Sequence, residues 1–174
     1  MSARLPFPSR WRITCAAACA ALLSACTSPP PLPAIPALEG HTWSGRLGLQ
    51  VQDPSAQEQS FSASFHLQGA PEKGSLDVFN PLGSQIAQLQ WQPGSAWLQQ
   101  GSHTTQSDSL QTLLQQSLGF ALPLQALFSW LQGHNIPAEG WEADLSRYQD
   151  GRITARRIHP TPQATLRVVL QQPE

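Results

Sequence analysis

The sequence predicts a mainly β domain in which two short helices interrupt an antiparallel meander. Three observations predict it. Apolar residues recur with a two-residue period from about residue 46 to residue 100, between turns rich in Gly, Pro and Asn. The period lengthens to that of a helix between about residues 109 and 133. The two-residue period then returns from Trp141 to the end.

Residues 1–25 read as a lipoprotein export signal. Arg4, Arg10 and Arg12 make a positive start, and the apolar run Ile13–Leu23 is too short to span a bilayer, which takes roughly 20 residues. Leu23-Ser24-Ala25-Cys26 follows the lipobox order: an aliphatic residue, two small ones, then Cys. The small side chains suit a peptidase pocket, and the Cys26 thiol is the nucleophile that takes a diacylglycerol. Cys15 and Cys19 leave with the signal, so Cys26 alone remains and no disulfide is expected. Acylation explains that lone cysteine. The N-acyl diacylglycerol on Cys26 is the covalent group expected, with no other cofactor. Thr27 stands where an Asp favours inner-membrane retention in Gram-negative bacteria, which points to an outer-membrane, lipid-anchored protein on the periplasmic face.

Removing 25 of the 174 residues leaves 149, a length that suits one domain. Three of the ten basic residues leave and all eleven acids stay, so the exported chain carries about −4. That balance argues against nucleic acid as a partner. Residues 26–42 are read as the acylated Cys and a tether, because Thr27–Leu38 (TSPPPLPAIPAL) is proline-rich and should be extended. Residues 43–174 are read as the domain, expected to be a monomer.

Within the domain, Leu47, Leu49 and Val51 share one strand face and Asp53-Pro54-Ser55 turns. Phe61, Ala63, Phe65 and Leu67 alternate with Ser62, Ser64, His66 and Gln68. Gly69–Gly74 turns again, and Leu76 and Val78 share a face of the next strand. After Asn80-Pro81-Leu82-Gly83-Ser84, residues Ala87, Leu89 and Trp91 share a face. Gln92-Pro93-Gly94-Ser95 leads into a strand over residues 96–100, which Gly101-Ser102 ends. This is a sheet with one apolar and one polar face.

A first helix is expected to be capped by Ser107 or Asp108, with Leu110, Leu113, Leu114 and Leu118 on one side and Gly119 as its stop. Pro123 is expected in the first turn of a second helix, with Leu124, Leu127, Phe128 and Leu131 as its apolar side, Trp130 flanking and Gly133 ending it. No charged residue lies between Ser109 and Gly133. Helices this short need tertiary packing. They fit either an ordinary cover over a filled core or a movable cover over an apolar cavity. Strands are expected over residues 141–148, 152–158 and 164–171, with Asp150-Gly151 as a hairpin turn between the first two.

The odd residue is Leu82. Asn80, Pro81 and Gly83 are turn formers, but a leucine at a hairpin tip has no core beneath it. It either packs back locally or is held out to touch something apolar.

Nothing in the chain reads as a reaction centre. His41, His66, His103, His134 and His159 show no metal-ligand spacing. There is no GxSxG and no phosphate-binding glycine loop. The chain is therefore read as a non-enzyme with no metal site.

The order of these parts resembles the LolB family of outer-membrane lipoprotein receptors. The resemblance is carried by the acylated Cys26, Trp43-Ser44-Gly45-Arg46-Leu47, Asn80-Pro81-Leu82-Gly83-Ser84, Leu122-Pro123-Leu124, Leu127-x-x-Trp130-Leu131-x-Gly133 and Gly140-Trp141. It runs from the lipobox nearly to the end. The chain departs from the family in the short His134–Glu139 segment, in Phe128 where some members carry arginine, and in lacking a tryptophan near the C-terminus.

The resemblance implies a LolA/LolB-like fold: a strongly curved antiparallel sheet, an unclosed half-barrel, with short helices capping its concave apolar face. It implies a protein that accepts lipoprotein acyl chains from the periplasmic carrier LolA and inserts the cargo into the outer membrane. It maps the family's membrane-inserting leucine onto Leu82. The expected cavity wall is Leu47, Leu49, Phe61, Phe65, Leu76, Val78, Leu89 and Trp91, and the expected lid is Leu113, Leu114, Leu127, Phe128, Trp130 and Leu131. The competing reading is a structural lipoprotein that scaffolds an envelope assembly complex and has a filled core.

Overall fold

The structure is a computed structural model that describes residue 32 and residues 40–54 and 57–171. Cys26, the export signal and nearly all of the tether lie outside the described residues.

Strands β1 (His41–Gln52), β2 (Gln59–Gly69), β3 (Gly74–Phe79), β4 (Gln85–Gln92), β5 (Ser95–Gln100) and β6 (His103–Ser107) form the meander. Helices α1 (Leu110–Leu118) and α2 (Leu124–Leu131) follow, then β7 (Trp141–Asp144), β8 (Arg152–Arg157) and β9 (Gln163–Leu170). All described strands join one antiparallel sheet in the order β6-β5-β4-β3-β2-β1-β9-β8-β7. The sheet does not close, because β6 and β7 are its two edges. This is the open half-barrel expected. The helices lie in the one connection that runs from edge to edge, and α1 packs beside β5 and β6.

Alternation sets which face is buried. Ala63, Phe65 and Leu67 of β2, Ala87, Leu89 and Trp91 of β4, and Ile153 and Ala155 of β8 all point inward into one apolar core. The close approach of Trp91 depends on Gly74 opposite it, since a Cβ there would lie 2.4 Å from the indole Cζ2. On the helices, Leu110 and Leu113 and then Ala126, Phe128, Trp130 and Leu131 turn their side chains to the same core.

Several local expectations are corrected. Strand β6 (HTTQS) lacks an apolar face, so its only sequence signal was the turn before it; ladder bonds to β5 define it. The α1 cap is Ser109, neither Ser107 nor Asp108: its hydroxyl accepts from the Thr112 N–H at 3.1 Å. Pro123 occupies the N-cap of α2, one position before the first turn, and its carbonyl takes the Leu127 N–H at 2.8 Å. Asp150-Gly151 is not a two-residue hairpin. Strand β7 stops at Asp144, and a 3₁₀ turn over Tyr148–Asp150 ends in Gly151. The Asp144 carboxylate accepts the Ser146 N–H at 2.9 Å, which bends the chain out of the strand early.

Candidate functional site

The β3–β4 hairpin ends in a loop whose every bond traces to Asn80. The Gly83 N–H donates to the Asn80 carbonyl and the Asn80 N–H to the Ser84 carbonyl, both at 2.9 Å. The Asn80 side-chain oxygen accepts from the Leu82 N–H at 2.9 Å and the Ser84 N–H at 3.0 Å. Pro81 presets the second position of the turn, and Gly83 takes φ 84, open to glycine at little cost. Just below, the Gln85 amide donates to the Asp77 carboxylate at 2.9 Å. Between Val78 and Phe79 the register slips, leaving Ile86 without an opposite residue.

This rigid frame holds Leu82 out at 91 % exposure. The packed-back alternative is thereby excluded in this conformation. Covering a leucine side chain is worth about 1.5–3 kcal/mol, so the hairpin forgoes roughly that amount while it faces water.

The concave face is the second part of the site. Among the residues expected to wall a cavity, Phe65, Val78, Leu89 and Trp91 are buried. Leu47, Leu49 and Leu76 are half-buried against the same core, and Phe61 is 44 % exposed. Phe61 pairs with Leu49, and Leu49 with Leu166, so these three side chains make an apolar row across β2, β1 and β9.

Among the lid candidates, Leu113, Phe128, Trp130 and Leu131 are buried, while Leu114 and Leu127 are half-buried. The Phe128 ring meets Trp43 edge-on at 5.7 Å and Trp91 at 6.3 Å between centroids. The helices are therefore seated on the sheet. Phe128 is buried, which fits its apolar neighbourhood.

Two side chains from the sheet side hold the end of α2. The Trp43 indole and the Tyr148 hydroxyl both donate to the Leu131 carbonyl at 3.1 Å. The Trp130 indole donates to the Ile136 carbonyl at 3.0 Å, which fastens the short segment after the helix. At the other end of α2, a groove of about 570 Å³ is lined by Leu122, Pro123, Leu124, Ile136, Pro137 and Trp141, among others. It contains none of the eight expected wall residues.

Arg157 went unnoticed in the sequence. It follows Ile153 and Ala155 on the inward face and is 8 % exposed. The alternation alone could have marked it. Its guanidinium carbon lies 5.2 Å from the centre of the Phe120 ring, and it donates to the carbonyls of Pro160 and Pro162. Burial pulls its pKa down, yet an arginine keeps its charge at neutral pH. Among the described residues, no group of three His, Cys, Asp or Glu side chains is placed to hold a metal.

Comparison with known proteins points to one family. Residues 40–160 match the family model described as outer membrane lipoprotein LolB. A protein of Bordetella petrii named outer-membrane lipoprotein LolB is 30% identical over 188 aligned residues, covering 94% of each chain. A Marinomonas protein of the same name is 29% identical over 150 residues, 82% of this chain and 74% of its own. One from Chromobacterium violaceum is 28% identical over 145 residues, 80% of this chain and 76% of its own.

Proposed function

Because the chain belongs to the LolB family of outer-membrane lipoproteins, we propose that it takes acylated lipoproteins from the periplasmic carrier LolA onto its apolar concave face and inserts them into the outer membrane. Cys26 carries the lipid anchor, on the periplasmic side. The observation that carries this reading is Leu82, 91 % exposed on a hydrogen-bonded tip with nothing of its own domain to cover it.

The physics of such a transfer needs no chemical step. An acyl chain leaves one apolar site for another only if the second offers comparable or better burial, at about 0.8 kcal/mol per CH₂. The seated helices keep the apolar face covered until cargo arrives. Cargo then replaces the helix side chains, Phe128 first, against Trp43 and Trp91. Neutral side chains suit this wall, since an unpaired charge there is costly. Leu82 enters the bilayer and gives the departing chains an apolar path.

The scaffold reading is favoured by one observation, the packing of Phe128 between Trp43 and Trp91. One experiment separates the two. The carrier is loaded with a lipoprotein and mixed with the exported chain bearing Cys26→Ser. Cargo found on this protein supports the receptor; cargo that stays on a competent carrier sinks it and leaves the scaffold.

A further inference from the structure

The exported chain has seven basic residues, and four of them lie exposed on one face of the sheet, the face turned away from the helices. They are Arg46 of β1, Arg167 of β9, and Arg152 and Arg156 of β8. The register brings them together. Val169 pairs with Arg46 on one side and Arg152 on the other. Neighbouring strands are about 4.8 Å apart, so these two arginines flank Val169 across roughly 10 Å. Arg167 lies two residues along β9 and pairs with Thr154, and Arg156 lies two residues beyond Thr154. Arg167 donates to the neutral Gln50 amide oxygen at 2.5 Å and so keeps its charge unpaired by that contact.

The acids on this face stand at its β7 border, Glu142 opposite Arg156 and Asp144 opposite Thr154, and on β3, where Asp77 pairs with His66 and accepts from the Gln85 amide. Nearby, Asp150 is engaged by Arg147 at 3.1 Å. A groove of about 260 Å³ among Arg147, Arg152, Thr154, Arg167 and Val169 runs through the cluster. Val169 is 44 % exposed in its middle, and Ile158, two residues past Arg156, is 40 % exposed.

The same register relates this face to the leucine tip. One row runs Phe79, Ser64, Arg46, Val169, Arg152 across five strands. The tip continues β3 beyond that row. Arg167 and Arg156 also lie beyond it, in the same direction along the strands. An exposed leucine and exposed arginines interleaved with valine and isoleucine thus belong to one end of the sheet.

We infer that this arginine face binds the phosphate groups of an anionic phospholipid surface and sets the domain's orientation on the membrane while Leu82 enters it. Guanidinium forks match phosphate oxygens in pairs. Val169 and Ile158 suit the shallow apolar layer just beneath headgroups. An acidic protein would satisfy the arginines but would leave Leu82 unprovided for; a bilayer satisfies both. The inference concerns orientation and stands whether or not the concave face takes acyl chains.

The test uses the exported chain with Cys26→Ser, so that the anchor does not dominate. It is sedimented with vesicles of phosphatidylcholine alone and with vesicles holding equal parts phosphatidylglycerol. Binding is expected to the anionic vesicles and to weaken with added salt. The Arg46→Gln/Arg152→Gln double variant should bind about thirtyfold more weakly, roughly fivefold per arginine. Lys73→Gln, in the β2–β3 turn, should bind as the parent does. A melting temperature equal to the parent's shows that the double variant is folded. Equal binding to both vesicle types, or undiminished binding by the folded double variant, overturns the inference. So does a double variant that keeps vesicle binding but no longer receives cargo from the carrier, since the face would then be a protein contact.

Discussion

The indole N–H of Trp43 meets the backbone oxygen of Leu131 at 3.1 Å, tying the first strand to the last residue of the second helix. The Tyr148 hydroxyl reaches the same oxygen from the far side of the sheet order. Tyr148→Phe removes one donor and keeps the ring, while Trp43→Phe removes one donor together with the five-membered half of the indole. Tyr148→Phe should lower stability by about 0.5–1.5 kcal/mol and Trp43→Phe by more, since it also loses packing against Phe128; both should speed amide exchange across residues 128–131. Exchange that stays at the parent rate would show that packing alone seats the helix.

Phe128 fills the space between two tryptophans. Phe128→Ala should cost about 3–5 kcal/mol, by analogy with other buried aromatic truncations. It should also raise the affinity for a dye that fluoresces in apolar sites, because the void adjoins the concave face. Loss of stability without any gain in dye binding would mean that the walls collapse into the space.

The Leu82 side chain is 91 % exposed and takes no part in the core. Leu82→Glu should leave the stability within about 0.5 kcal/mol of the parent, receive cargo normally, and fail to insert it into vesicles. Normal insertion by this variant removes the tip from the mechanism.

Asn80 organises the tip through two bonds to its side-chain oxygen. Asn80→Ala should cost about 1–2 kcal/mol and expose the Leu82 and Ser84 amides to rapid exchange. Insertion should fall although Leu82 is still present, since a loose tip must be ordered on entry. Slow exchange at both amides would contradict this account.

The Asp144 carboxyl is held below its ordinary value of 3.8, first by the Ser146 hydroxyl and then by the Ser146 N–H, with Arg156 adding a smaller pull. A depressed carboxylate stabilises the folded chain above its unfolded pKa, and that contribution is lost as pH falls through the lower folded value. The turn after β7 should therefore loosen only in acid below about 3.8. Ser146→Ala should move the Asp144 titration upward, as followed by carboxyl carbon shifts.

Much of the fold was legible because period reports burial. Phe61, Ala63, Phe65 and Leu67 could occupy one face of one strand, and they do. The edge strand β6 was not legible: His103-Thr104-Thr105-Gln106-Ser107 has polar residues on both faces, and its pairing with β5 is a property of the ladder, not of its side chains. The end of β7 was hidden for a related reason. Trp141, Ala143 and Leu145 keep the alternation, but a local bond from Ser146 to Asp144 wins over it. At the site, Leu82 stood out because it violates the turn's composition. Arg157 should have stood out on the same ground, since it violates the apolar face of β8. The ties to Leu131 left no trace in the sequence, because a backbone oxygen is the same in every residue.

Strand β1 pairs from Gly45 to Gln52 with β9, the last of the described strands. The chain is made amino end first, so β1 waits for its second neighbour until β9 has followed. Until then its free edge is a row of unmet donors and acceptors, and the half-built sheet shows its greasy side. Such long-range closure is slow and exposes the chain to sticking. The sheet is thus completed only when β9 arrives, and deleting residues 163–170 should be far more damaging than their modest sequence suggests.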